Sequence, residues 1–277
     1  MNKKFIAGGC SFTFGNELSD DKVGKSPSSK SWAKLLFEQT KYPGAVIEHV
    51  NVSSPGAGNP GIARRVFEAV KRLENEDRNN IDSVVVMWSF LSRYDWAMPR
   101  HESLENTRWT SISPWDTDIE DDARHNQLAG SEIQIQDWTR RRELVIETGV
   151  KPFADALYRY AANQYHEIYL SWKSILWLQN FLEKKKIKYM FTLADNSLFY
   201  DGLKQHKDQD KFMTALHSEI DFTKWHSFGA RMMGFNQWAK LNEYEYATTH
   251  PLDKAHEDAV KLMIPTFRKC KLGGKNV

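Results

Sequence analysis

The sequence predicts an α/β fold, a three-layer α/β/α sandwich around a parallel, flavodoxin-like sheet of four or five strands with two irregular insertions. Three observations carry this prediction. Apolar runs of strand length alternate with amphipathic stretches of helical period. The first two runs end in loops rich in glycine and serine, as strands that feed a ligand crevice do. The run at 83–88 is almost continuously apolar, which suits a central strand covered on both faces.

Taken in order, Phe5-Ile6-Ala7-Gly8-Gly9 is a buried strand that meets a functional loop at its glycines. After a polar stretch through Ser29, Trp32, Leu35 and Leu36 recur at helical spacing behind serines able to cap a helix. Tyr42-Pro43-Gly44 closes that helix, and residues 46–52 alternate as a second strand. In the next helix Asn59 stands as the N-cap and Pro60 takes the first helical position, while Ile62, Val66, Val70 and Leu73 form one apolar stripe. Residues 83–88 are the third strand. The resulting β-α-β-α-β order requires right-handed crossovers and hence parallel strands.

From about 94 to 150 the periodicity breaks in a segment rich in Trp, Asp and Arg, too long for an ordinary connection and placed to serve as a lid over the carboxyl edge of the sheet. Pro152 then opens one long helical segment running to about 185, with Phe153, Leu157, Tyr160, Ile168, Trp172, Ile175, Leu176 and Leu182 in period. It crosses to a fourth strand at 187–193, which Ala194-Asp195-Asn196 leaves in a turn. A second irregular, aromatic insertion occupies about 196–246. The last helix spans 251–267, kinked or ended by Pro265. The whole, 1–277, reads as one domain carrying two insertions.

Composition excludes several functions. With 38 Lys+Arg against 36 Asp+Glu the net charge is +2, which argues against nucleic-acid binding through phosphate neutralisation. Cys10 and Cys270 are too far apart in sequence to suggest a disulfide framework or a zinc site, so a reducing, cytoplasmic setting is expected. The strongest apolar run, Val84-Val85-Val86-Met87-Trp88, falls far short of the ~20 residues of a membrane span. Behind Lys3-Lys4, only Phe5, Ile6 and Ala7 offer an apolar core, where a signal peptide needs about 7–15 residues.

Three segments carry chemistry. In Gly8-Gly9-Cys10-Ser11-Phe12-Thr13-Phe14-Gly15 a serine follows the first strand directly, where its hydroxyl faces the crevice of an open α/β sheet. Thr13 stands where a Gly-x-Ser-x-Gly elbow has its second glycine, and no Gly-Lys-Ser/Thr follows as a phosphate loop needs. Gly56-Ala57-Gly58-Asn59-Pro60-Gly61 matches the dinucleotide pattern, yet follows the second strand and places a proline at the helix start. No cofactor is expected there. In Thr248-Thr249-His250-Pro251 a histidine fixed by a proline ahead of the last helix suits a general base. His256, inside the helix, is expected to pack or bond locally, and the pair lacks the spacing for a shared metal. Asp116, Asp118, Asp121 and Asp122 lack the glycine of a calcium loop and read as a solvated acidic face; no metal is expected.

Together these segments resemble the SGNH (GDSL-like) hydrolase superfamily, in a divergent, phage-type form. Gly9-Cys10-Ser11-Phe12 stands for the nucleophile block, Asn51-Val52-Ser53-Ser54-Pro55-Gly56 for the second block, and Thr249-His250-Pro251 for the block that supplies the base. The resemblance implies a serine esterase acting on small acyl esters of a carbohydrate or lipid, with Ser11 as nucleophile, His250 as base, and the Ser11 and Gly56 N–H groups as oxyanion donors. Two positions depart from it. The third block's asparagine is missing from Met87-Trp88-Ser89-Phe90-Leu91-Ser92-Arg93, which leaves Asn59, Ser89, Ser92 and Arg93 as further candidates. Ala247 occupies the acid's place, so Glu245, Asp253 or a backbone carbonyl is left to orient His250. These departures support an alternative, a degenerate binding module for a glycan or protein. Tryptophans in the first insertion (Trp96, Trp109, Trp115 and Trp138) are expected to pack it onto the body rather than stack on sugars.

Overall fold

The structure is a computed structural model that describes residues 3–21, 26–42, 44–76, 81–98, 109–117, 149–199 and 211–272. Its strands are β1 (Lys3–Gly8), β2 (Ile47–Asn51), β3 (Ile81–Trp88), β4 (Tyr94–Ala97), β5 (Trp109–Ile112) and β6 (Tyr189–Leu193). Its helices are α1 (Ser11–Phe14), α2 (Trp32–Thr40), α3 (Asn59–Glu76), α4 (Val150–Tyr160), α5 (Gln164–Lys184), α6 (Lys211–Ser218), α7 (Phe235–Leu241) and α8 (Asp253–Leu272). The main sheet has the order β2-β1-β3-β6, parallel throughout, which is the order of the first four strands of a flavodoxin-like sheet. A fifth strand is reduced to one bridge, Phe191 to Trp225, beside β6.

Strand alternation sends Phe5 and Gly8 to opposite faces of the sheet. The Phe5 ring lies 5.5 Å from Phe37 of α2 and 5.7 Å from Phe267 of α8. Gly8 faces α3 so closely that a methyl group there would lie 2.4 Å from Val66 Cγ2. Helices therefore cover both faces, and β3 and β6, buried almost throughout, sit in the middle of the apolar core.

Several elements differ from the sequence expectation, each for a local reason. The segment expected as one helix over 152–185 is two, α4 and α5, because Asn163 caps α5 by accepting the His166 N–H at 2.9 Å. Helix α8 runs through Pro265 to Leu272, its far end held by buried Phe267 and Cys270. The described part of the second insertion is not irregular but contains α6, α7 and short 3-10 turns. In the first insertion β4 and β5 pair antiparallel and share a small core of Tyr94, Met98 and Ile112 with Val150, Ala154 and Leu157 of α4. Trp96 packs 5.0 Å from Phe153, and the Arg64 guanidinium lies 4.8 Å from the Trp109 ring. Asp116 is buried rather than solvated, its carboxylate accepting the Ser113 N–H at 2.7 Å. Asp118, Asp121, Asp122 and Trp138 lie outside the described residues, as do 99–108 and 118–148 of the segment expected to serve as a lid.

Asn59 is not the N-cap of α3. The first helical bond runs from the Ile62 N–H to the Gly58 carbonyl at 2.9 Å, which gives the capping place to Gly58. A methyl group on Gly58 would meet the Arg93 carbonyl oxygen at 2.2 Å, so residues after β3 close over the start of α3. Gly58 and, against Asp95, Gly61 of the dinucleotide-like pattern thus serve packing. Asn59, only 1% exposed, spans three elements: its Oδ1 accepts the Ser89 N–H at 2.7 Å, and its Nδ2 donates to the Ser89 carbonyl at 3.2 Å and to Ser171 Oγ of α5 at 2.9 Å. Removing it strands buried polar groups, at a cost of about 1–3 kcal/mol for each unsatisfied group. Asn59→Ala is expected to lower the unfolding free energy by about 2–4 kcal/mol in urea titration; a loss below about 0.5 kcal/mol would contradict the role given to this strap.

Candidate active site

Ser11 opens the single turn α1 three residues after the end of β1, at the carboxyl edge of the sheet. Gly15 ends that turn in the left-handed conformation, φ 85°, and Glu17 follows with φ 66°. The chain therefore doubles back, and the Glu17 side chain returns beside the residue that began the turn. The segment after β2 is laced to the same loop: the Ser54 N–H donates to the Gly9 carbonyl at 3.1 Å, and Asn51 Nδ2 to the Thr13 carbonyl at 3.1 Å. Within it Pro55 and Gly56 form the corner of a turn closed by the Ala57 N–H on the Ser54 carbonyl at 3.1 Å, and Gly56 has φ 73°, a conformation that favours glycine. Neither the Ser11 N–H nor the Gly56 N–H meets an acceptor among the described residues.

His250 arrives from the far end of the chain, on a turn pinned by the Tyr246–Pro251 bridge and by the Ala247 N–H on its own carbonyl at 3.0 Å. Its Nε2 lies 2.7 Å from Ser11 Oγ, and its Nδ1 2.8 Å from Glu17 Oε2. An ionised carboxylate only accepts, so Nδ1 carries the proton and Nε2 presents its lone pair to the serine. The same Glu17 oxygen also accepts the N–H groups of Thr249 and His250, both at 3.0 Å. Burial alone would raise the Glu17 pKa; the hydrogen bond from the His250 ring, the Thr249 N–H and the charge of His250 outweigh it and hold the carboxyl at about 2. The Phe12 ring supports the imidazole at 4.7 Å and is backed by Phe90 at 5.6 Å and Phe235 at 6.1 Å.

The structure brings Ser11 and His250 together and puts neither of the two carboxylates left open by the sequence, Asp253 and Glu245, against the imidazole. Asp253 does not face His250; its Oδ1 accepts the Ser19 N–H at 3.0 Å, and its Oδ2 accepts from Ser19 Oγ at 2.6 Å and Lys30 Nζ at 2.7 Å. Glu245 is exposed and enters the turn through its carbonyl, which accepts the Leu252 N–H at 2.9 Å. Glu17 takes the place, six residues after the serine rather than three before the histidine. Only Gly15, which marks a chain reversal, hints at this in the sequence.

The additional donors fare differently. Both Asn59 hydrogens are committed as described above. Ser89 is fully buried, its Oγ accepting from Arg93 at 2.9 Å, while Ser92 Oγ donates to Glu167 at 2.9 Å. Arg93 lays its guanidinium over the Phe90 ring at 4.9 Å. His256 is fully buried, accepts the Trp32 N–H at 3.0 Å through Nδ1, and is kept neutral by burial with a pKa near about 3. Among the described residues no group of His, Cys, Asp and Glu is arranged to hold a metal, and no helix is long and apolar enough to cross a membrane.

The chain matches no protein-family model and no curated protein. Among solved structures it is similar to the psychrotrophic esterase EstA from Pseudoalteromonas sp., inhibited by monoethylphosphonate, at 11% identity over 97% of this chain and 98% of that one, TM-score 0.44. It is also similar to a catalytic mutant of Axe2, an acetylxylan esterase from Geobacillus stearothermophilus, at 11% identity over 96% of this chain and 95% of that one, TM-score 0.42. A third is a member of the lipolytic G-D-S-L family from Veillonella parvula, at 10% identity over 99% and 100% of the two chains, TM-score 0.38.

The depressed pKa of Glu17 makes a pH-dependent contribution to stability. A carboxyl held at about 2 when folded, against its ordinary 4.5, stabilises the fold fully above the higher value and loses that contribution as pH falls towards the lower. The gap in unfolding free energy between wild type and Glu17→Gln is therefore expected to narrow from about pH 5 down to about pH 2. Urea unfolding at several pH values checks this, and a gap that stays constant over that window contradicts it.

Proposed function

We propose that the chain is a serine hydrolase of acyl esters, of the SGNH type. The observation that carries this reading is the continuous relay Ser11 Oγ–His250 Nε2, 2.7 Å, and His250 Nδ1–Glu17 Oε2, 2.8 Å. His250 takes the hydroxyl proton as Ser11 Oγ attacks the ester carbonyl, and Glu17 stabilises the imidazolium that forms without taking a proton itself. The developing oxyanion receives the N–H groups of Ser11 and Gly56. As the tetrahedral intermediate collapses, His250 returns the proton to the leaving alcohol, which departs and leaves an acyl-serine. Water, deprotonated by His250, then attacks the acyl carbon; the acid is released and Ser11 regains its proton.

On the sequence resemblance to the SGNH hydrolases, we take small acyl esters of a carbohydrate or lipid as the first substrates to try. A second reading, a binding module without chemistry, is favoured by one observation: Asn59 and Ser89, the polar groups beside the end of β3, are tied to each other, so no side-chain amide there supplies a third oxyanion donor. Loss of such a donor costs about 10²–10³ in turnover, which slows an esterase but need not silence it.

Hydrolysis of 4-nitrophenyl acetate, together with labelling by a serine-directed phosphonate, separates the two. Ser11→Ala and His250→Ala are expected to lose at least about 10³-fold in kcat/KM and all labelling, and Glu17→Gln about 10²–10⁴-fold. A wild-type protein that neither labels nor exceeds the variants supports the binding module. Activity unchanged within twofold in Glu17→Gln removes Glu17 from the relay.

A further inference from the structure

The loop after β3 brings a guanidinium to the edge of the sheet where Ser11 stands. In the register of β1 with β3 the last pair is Gly8 with Val86, and Ser11 and Ser89 each stand three residues further on. Arg93 returns to that level. Its Nη1 donates to Ser89 Oγ at 2.9 Å, and its guanidinium lies 4.9 Å from the centre of the Phe90 ring. Phe90 packs in turn on Phe12, the residue after the serine, with ring centres 5.6 Å apart. The Arg93 carbonyl closes over Gly58, two residues past Gly56. The end of β3 and the Gly56 turn therefore touch Arg93 directly, and the turn of the nucleophile touches it through Phe90.

The local backbone and the neighbouring side chains leave this guanidinium unspent. Ser92, just before it, has φ 59°, a left-handed conformation that residues other than glycine seldom hold and that gathers at functional sites. The side chains on either side of Arg93 both turn to Glu167: Ser92 Oγ and the Tyr94 hydroxyl donate to its two oxygens at 2.9 and 3.0 Å. Arg93 turns instead to Ser89 and Phe90, and no carboxylate among the described residues forms an ion pair with it. Of the five N–H groups that a guanidinium carries, one is used, and Nε and Nη2 meet no acceptor among the described residues. A hydrogen bond from such a charged donor to an oxyanion is about twice as strong as a neutral one.

We propose that Arg93 is the third oxyanion donor, a guanidinium in place of the side-chain amide that the end of β3 lacks. The proposal rests on the hydrolase reading above. As Ser11 Oγ attacks, the carbonyl π electrons move to oxygen, and an Arg93 N–H joins those of Ser11 and Gly56 in bonding it. No proton leaves the guanidinium. When the C=O bond re-forms and the alcohol departs, the charge is gone and the bond weakens, so the donor acts on the transition state more than on the bound ester.

Arg93→Met tests this, because it keeps the apolar stem over Phe90 and removes every donor. With 4-nitrophenyl acetate it is expected to lose about 10²–10³-fold in kcat with KM within about threefold of wild type, and to label with the phosphonate more slowly in proportion. Arg93→Gln keeps a neutral amide donor and is expected to lose only about tenfold in kcat, which keeps the test open if the Met variant does not fold. Guanidinium chloride at about 20 mM, against sodium chloride at the same concentration, is expected to raise turnover of Arg93→Ala at least about tenfold and that of Ser11→Ala not at all. A packing role would not respond to added guanidinium. If kcat stays within about threefold of wild type in both Arg93→Met and Arg93→Gln while Ser11→Ala is inactive, the donor is wrong and the hydrolase stands. A loss carried by KM with kcat intact also overturns the donor. A wild type that neither labels nor turns over removes the hydrolase and the donor together, and that silence of the wild type distinguishes it from the first two results.

Discussion

One oxygen atom, Oε2 of Glu17, fastens the turn at 249–250 to the loop after β1. It accepts two backbone N–H groups and the imidazole Nδ1, so the position of the turn and the orientation of the ring are set by the same acceptor. Because Glu17 is ionised and its side chain nearly buried, the bonds it accepts are charge-assisted and little contested by solvent. The imidazole has one nitrogen left, and among the described residues its hydrogen-bond partner is Ser11. The precision of the site thus comes from an anchor shared between backbone and side chain rather than from a side chain aimed alone.

That anchor needs its own support, and the surrounding packing supplies it. Asp253, at the start of α8, holds Ser19 and Lys30, one on each side of the stretch that follows Glu17. Asp253, one of the groups the sequence left open behind the histidine, instead stiffens the loop that carries Glu17. Phe12 fills the space under the imidazole, with Phe90 and Phe235 behind it, so the ring rests on an apolar floor from three separate elements. On the other side, Asn59 locks the end of β3 to α3 and α5, fixing the wall from which Phe90 projects.

What was legible in the sequence follows from the range of the signals. Strands β1, β3 and β6 hold apolar runs and β2 alternates, and these patterns find them within a residue or two. Serine and histidine were legible because each stands in a short run with turn chemistry around it. The break between α4 and α5 was missed because Ala161 and Ala162 extend the helical period through the gap, while the one stop signal, Asn163, is a cap that acts only once the chain has turned. Glu17 was missed for a deeper reason. Its role depends on two left-handed residues folding the loop back, and backbone reversals of that kind leave little trace when one of them, Glu17 itself, is not glycine. Asn59 was misread because a capping residue and a tertiary strap look the same in one dimension.

The separation of the relay along the chain shapes how it comes into being. Ser11 and Glu17 belong to one local turn, whereas His250 lies 239 residues beyond the serine. Only a single long-range closure is needed to complete the relay, so the entropy of assembling three groups is mostly met locally. A ribosome making this chain releases Ser11 and Glu17 well before His250. In that interval the nascent polypeptide carries the Ser11 hydroxyl without the imidazole that stands beside it in the fold, so the relay exists only once the turn at 249–250 has docked.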